Sequence, residues 1–328
     1  EFRSYEGIRF DANSYFKGAN KPTNSIVTVW VKELLEKRVA AAPITGDLKN
    51  KKDDVAAAPI TGDPKNKKDE TKKDETKEKE KKIKVRIINE KGDTIRTLSP
   101  EIDTFLCKIN WRLDQKGERY PSREEAKSDA NEPGGDAVLP GKYKLVATYL
   151  DYKDSTYVTV YADPRMNISR ADMEAKNSAL NNFSKIVKAA TTATSRLRDM
   201  EKTIQLVESQ WINVPDSTKK DVLKLASAIK DSIGTYQTQI LGKKEQKGIN
   251  RDDQTLLSKL YTTSNYLGSS EGNPSANMWL SYEQTKIEVE KIVTKVNNLV
   301  EKDYAAWQAK AEAVKYSLFK KVDKVKME

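Results

Sequence analysis

Val138–Arg165, VLPGKYKLVATYLDYKDSTYVTVYADPR, is the stretch whose reading decides the architecture. Pro140-Gly141 forms a turn that launches an extended run with Tyr143, Leu145, Ala147 and Tyr149 on one face. Asp151 to Asp154 are expected to reverse that run into Tyr157–Tyr161, giving a β-hairpin that closes a sandwich. Upstream segments supply further strands, and after Asp163-Pro164-Arg165 the apolar period becomes helical and stays so. The fold class is therefore expected to be multidomain α+β, an immunoglobulin-like β-sandwich followed by an antiparallel α-helical bundle.

Working outward, four segments follow. Residues 1–38 lead in and carry a first strand, Ser25–Val31, apolar on both faces and so expected in a covered position. Residues 39–82 contain VAAAPITGDLKNKKDD repeated as VAAAPITGDPKNKKDE and then decay into a Lys/Glu tail. With few large apolar side chains to offset the entropy of ordering, this insertion is expected to be mobile. Residues 83–165 are the sandwich proper: Ile83–Ile88, a turn at Asn89–Asp93 with Gly92 available for positive φ, Thr94–Leu98, and Thr104–Trp111. Asp114–Asp136 is polar and rich in Pro and Gly, and reads as a long surface loop.

Residues 166–328 are the bundle. Ser169 with Asp172 makes a capping-box-like start to a helix whose apolar positions run from Leu180 to Trp211, on the order of 60 Å of helix. Pro215 ends it; Asp216 or Ser217 caps a second helix reaching Gly242. A shorter third runs from about Asp252 to Leu267, with a break at Gly268–Pro274. The fourth carries Trp279, Tyr282, Val289, Ile292, Val296, Leu299, Tyr304, Trp307, Val314 and Leu318 on one stripe. Trp111, Trp211, Trp279 and Trp307 are expected in cores.

Composition narrows function. The 328 residues are 37% hydrophobic and 33% charged, with a net charge of +10 and one cysteine, Cys107, expected to be buried and inert. Basic residues are interleaved with acids along the chain, so no nucleic-acid partner is expected. No apolar run approaches the roughly 20 residues of a membrane span, so no membrane insertion is expected. The opening Glu1-Phe2-Arg3-Ser4 has no signal-peptide layout and reads as the start of an excised piece.

The chain has no histidine, which removes Ser-His and Cys-His pairs and histidine-ligated zinc. Asp151 with Asp154, and Asp252-Asp253, are explained by turn formation and a helix start. Asp129–Asp136, with Glu132 and Gly134-Gly135, offers oxygen ligands for Ca²⁺ but matches no EF-hand spacing. Asp93-Thr94-Ile95, Asp154-Ser155-Thr156 and Asp216-Ser217-Thr218 look like short O-glycosylation acceptors. No catalytic, cofactor or metal residue is assigned. Asp163, Pro164 and Arg165 are read as a domain joint, in which Pro164 stiffens the exit from the last strand. Asp163 and Arg165 tie the sandwich to the first helix there.

FKGANKP before a strand, then IKVRIINEKGDTIRTL, INWRLD, LPGKY and the closing DPR resemble a family region. It is the C-terminal region of secreted bacterial sortilin-like (VPS10-type) or BNR-repeat β-propeller proteins, often labelled glycosyl-hydrolase-like. Arg112-Leu113-Asp114 departs from the Asp-Leu-Arg of that family, and no propeller blade is present. The resemblance implies an exported protein, periplasmic, outer-membrane-associated or at the bacterial cell surface, and a supporting role for this region. The expected function is a non-catalytic accessory region that docks or spaces a β-propeller domain or an envelope protein. One alternative is the C-terminal part of a glycan or peptide hydrolase whose site lies in a propeller outside the chain. A weaker alternative is a carbohydrate-binding adhesin module, which would need exposed aromatics in Asp114–Asp136.

Overall fold

The computed structural model describes residues 24–31, 82–102, 105–127, 130–211, 214–243 and 254–314. The repeat of residues 39–70, the leading residues 1–23, Asp252-Asp253 and Leu318 lie outside the described residues. The chain is mixed α/β, with several antiparallel sheets and, among the described residues, no closed barrel, and it divides into two compact units.

The first unit comprises Glu1–Ile83, Pro100–Leu113 and Tyr149–Asp151. Within it β1 (Ser25–Trp30) pairs antiparallel with β4 (Leu106–Trp111), from Ser25 opposite Trp111 to Trp30 opposite Leu106. Side chains alternate across a strand, so Val27, Val29, Ile109 and Trp111 share one face, and Trp111 is fully buried. The other face is bare: Ile26 is 50% exposed, Trp30 64% and Leu106 54%. The expectation of a strand covered on both faces is thus corrected, because β4 is the only strand that pairs with β1 among the described residues. Cys107 is half-buried.

The second unit comprises Lys84–Ser99, Asp114–Thr148 and Tyr152–Glu328. Its four-stranded sheet has the order β3-β2-β7-β8, with β2 Lys84–Ile88, β3 Thr94–Leu98, β7 Gly141–Tyr149 and β8 Tyr152–Val160. The β2–β3 turn forms as its residues dictate. Asn89 and Asp93 exchange backbone and side-chain hydrogen bonds, and Gly92 has φ of 90°. The β7–β8 reversal is tighter than expected. It uses Leu150 and Asp151, with Leu150 at φ 50°, and Lys153 and Asp154 already belong to β8. Strand alternation gives this sheet one apolar face, with Val85, Ile87, Tyr143 and Leu145 buried. The Tyr143 hydroxyl donates to the Leu139 carbonyl at 2.6 Å, which satisfies the buried ring's polar end.

Asp114–Asp136 is not a plain surface loop. β5 (Asp114–Lys116) pairs with β6 (Gly134–Ala137), pinning both ends of the segment together. An ion pair from β3 holds the junction. Arg96 Nη1 lies 3.2 Å from Asp114 Oδ2 and also donates to the Gln115 and Pro133 carbonyls at 3.0 Å. Gly117 and Gly135 allow the backbones to meet, since a Cβ on Gly117 would lie 2.3 Å from the Gly134 carbonyl oxygen. The sequence reading failed here because short, polar, Gly-containing strands carry almost no apolar alternation.

Helix α1 (Arg170–Gln210, 41 residues) starts as expected, with Asp172 N donating to Ser169 Oγ. Helix α2 (Asp216–Leu241) has Pro215, not Asp216 or Ser217, at its N-cap position. Helix α3 (Leu256–Ser269) begins at a Thr255 cap and continues through Gly268, so the expected break starts only at Ser270. Helix α4 (Ala276–Asn298) passes through a π-helical segment, Leu299–Tyr304, into α5 (Ala305–Glu312). That wider turn corrects the single stripe: Leu299 and Val300 both turn inward, and the 3.6-residue period restarts toward Trp307 and Ala311. Trp279, 37% exposed, is not core. The helices share one apolar core that includes Phe183, Leu197, Ile204, Ile229, Ile233, Leu260, Val296 and Trp307.

The residues after β5 run along α1 as an extended strap. Gln115 Nε2 donates to Asn181 Oδ1, Thr191 Oγ1 to the Arg119 carbonyl, Arg198 Nη1 to the Ser122 carbonyl, and Lys202 Nζ to Glu125. The spacing is a matter of pitch. About ten steps of extended chain cover about 33 Å, and the about 21 helical steps from Asn181 to Lys202 cover about 32 Å. Tyr120 stacks on Tyr261 of α3 at 4.5 Å and 9°, and Arg123 donates to the Gly242 carbonyl at the C-cap of α2.

Candidate docking groove between two helices

Helices α3 and α4 follow each other through Ser270–Ser275 and pack side by side. Where they cross, three small hydroxyl residues replace larger side chains. Thr263 Oγ1 shares hydrogen bonds of 2.8 Å with Ser281 Oγ and with Thr285 Oγ1, and Thr263 and Thr285 are buried. Small residues let the helices approach closely, and the mutual bonds remove the cost of burying the hydroxyls. Above this floor opens a groove of about 650 Å³, walled by Thr262, Tyr266, Leu280, Gln284 and Ile287.

The walls mix polar and apolar side chains, and the apolar ones are exposed. Leu280 is 58% exposed, Tyr266 53% and Ile287 48%. Trp279 continues the surface, edge-on to Tyr282 at 5.4 Å, and burial pushes the Tyr282 phenol above its ordinary pKa. The rim carries both signs of charge: Lys259–Glu288 at 4.0 Å, Lys291–Glu288 at 3.0 Å and Lys286–Glu283 at 3.6 Å. The hydrogen bond from Lys291 holds the Glu288 carboxyl below its usual range. The groove is lined by hydroxyls, the amides of Asn277 and Gln284, exposed aliphatic groups and the Lys259–Glu288 pair.

The residues singled out in the sequence fall elsewhere. Asp163, Pro164 and Arg165 lie between β8 and α1, inside the second unit and not at its edge. Arg165 closes on Asp163 itself, Nη2 to Oδ2 at 2.6 Å, and stays 87% exposed. The Met166 N–H bonds the Asp163 carbonyl. The pair is therefore a local turn clasp, and its hydrogen bonds take the Asp163 carboxyl down to about 2.

Residues of the calcium reading are spent separately. Glu132 accepts from the Thr97 N–H at 2.8 Å, and Asp136 is raised by burial with Lys176 opposing. Among the described residues no group of three or more acids, Cys or His could hold a metal. The one aromatic of Asp114–Asp136, Tyr120, is stacked on Tyr261 and offers no exposed sugar platform. Asp154 Oδ1 accepts from the Ser155 N–H on β8, and Asp93 is held in the β2–β3 turn.

Compared with family models, curated proteins and solved structures, the chain matches none. Among the described residues no helix is long and apolar enough to cross a membrane. Sequence reading missed both the groove and the strap. The signal for the groove was present in α4, where Leu280 and Ile287 stand seven residues apart on the polar side of an amphipathic helix.

Proposed function

We propose that this chain is a non-catalytic accessory region, an immunoglobulin-like β-sandwich followed by an antiparallel helical bundle, that docks a partner protein. The observation that supports this reading is the bare apolar groove between α3 and α4, walled by Tyr266, Leu280 and Ile287. Its partner presents an apolar ridge flanked by charges, to match the mixed rim of Lys259, Glu283, Lys286 and Glu288. With the resemblance noted above, the proposed setting is an exported bacterial protein, and the partner a β-propeller domain or another envelope protein.

The test compares the wild-type chain with a Leu280→Asp, Ile287→Asp variant in capture from a bacterial envelope extract. A stoichiometric protein held by the wild type and by a version lacking residues 39–82, and lost in the double variant, is the expected result. Equal capture by the variant would remove the groove from the account. The substitutions are at exposed positions, so thermal stability is expected to change by no more than about 0.5 kcal/mol.

A further inference from the structure

The two faces of the four-stranded sheet differ in kind. Register places Lys84, Arg86 and Ile88 of β2 beside Thr148, Val146 and Lys144 of β7, all opposite to the apolar face. Lys142 continues the β7 row. Tyr157 of β8 joins them, because the Lys142 ammonium stands 4.6 Å from its ring centroid and that of Lys144 6.0 Å. Strand alternation then puts Lys153, Ser155 and Thr159 on the same side.

Five cations thus share one face with no carboxylate among them, around a buried Val146. Among the described residues none of the five makes an ion pair. Glu90 and Glu132, at the margins, are engaged with the backbone N–H groups of Lys142 and Thr97. In sequence Lys153 looks neutralised, since Asp154 adjoins it and Asp151 stands in the turn before the strand. Strand geometry sorts the signs: Asp154 points to the opposite face from Lys153.

We propose that this sheet face binds a linear glycan carrying carboxylate or sulfate groups. Cations two residues apart lie about 6.7 Å from one another along a strand, and strands lie about 4.8 Å apart, so the face is a lattice suited to a repeating anion. Ser155, Thr159 and Thr148 add hydroxyl partners for sugar hydroxyls. Tyr157, 58% exposed, supplies one ring on which a sugar face can lie. Within the four strands Tyr157 is the one aromatic on this face, fewer than the successive rings on which single-stranded nucleic-acid binders stack bases. The face is separate from the α3–α4 groove, so either reading can fail without the other.

The experiment measures anisotropy of labelled heparin fragments, polygalacturonate and oligothymidylate with the full chain. The expected result is binding of at least one glycan that weakens by ~10-fold or more from low to physiological salt. Sulfated and carboxylated probes distinguish which anion is preferred. A Lys142→Glu, Lys144→Glu pair is expected to lower that affinity by more than about tenfold, and Lys153→Glu, at the far end of the sheet, by about threefold. Tyr157→Ala is expected to lower it about fivefold with the salt dependence kept, and Tyr157→Phe to restore it. Circular dichroism melting verifies that each variant is folded. Binding of oligothymidylate more tightly than both glycans, binding of neither glycan, or unchanged affinity in folded lysine or tyrosine variants would overturn the proposal.

Discussion

Two long surfaces in the helical part invite comparison. Along α1, the chain lays its own extended strap, Gln115–Glu125, against the helix and bonds it at Asn181, Thr191, Arg198 and Lys202. Between α3 and α4, a groove with Tyr266, Leu280 and Ile287 on its walls has no such strap across it among the described residues. The covered surface is held by polar contacts along about 30 Å of helix, and the other exposes Tyr266, Leu280 and Ile287.

The comparison breaks hardest at the anchor of the strap. Arg96→Ala removes the partner of Asp114, whose side chain is 11% exposed, and is expected to cost about 3–5 kcal/mol by urea unfolding. Hydrogen exchange should rise along β5–β6 and the Asn181–Lys202 face of α1 and stay unchanged at α3–α4. Uniform loosening of both surfaces would show that the strap is not an independent cover.

Gly117→Ala attacks the same anchor by steric means. Its Cβ would meet the Gly134 carbonyl oxygen at 2.3 Å, backbone against backbone, so a loss of about 1–3 kcal/mol is expected. Thr263→Val probes the bare surface from beneath. It removes the hydroxyl shared with Ser281 and Thr285 and is expected to cost about 1 kcal/mol with the strap unaffected.

The smallest effect is at Asp163. Its folded pKa is depressed to about 2 from 3.8 by Arg165, so any stabilisation is present above the unfolded value and is lost as pH falls through about 2. The pair lies at the surface, with Arg165 exposed and Asp163 half-buried, so Arg165→Gln should return the carboxyl titration seen by NMR toward its ordinary value while leaving the melting temperature at neutral pH nearly unchanged. A large change in stability would instead make Asp163–Arg165 a true joint.

What could be read from residues was local. The Asn89–Asp93 turn, the Ser169–Asp172 cap and the helix ends near Gly242 and Ser270 are set by side chains within a few positions of each other. The apolar face of the sheet was legible in Tyr143, Leu145 and Tyr149 because period-two alternation is a single-strand property. The strap was not, because Asp114–Asp136 finds its partners 66 to 77 residues later and its own composition is that of a loop. Trp279 was misplaced because a continuous stripe was assumed through α4. The cationic face was hidden because Lys84 and Arg86 stand far from Lys142, Lys144 and Lys153 in the chain, each next to residues that pleating later turns away.

The order in which the strap and its helix occur has a consequence in time. At about 5–20 residues per second, the 66 to 77 residues separating the contacts take about 3–15 s to be synthesised. Through that interval Gln115, Arg119, Ser122 and Glu125 have no helix to bond. The nascent chain must keep an extended polar ribbon in water until α1 has been translated.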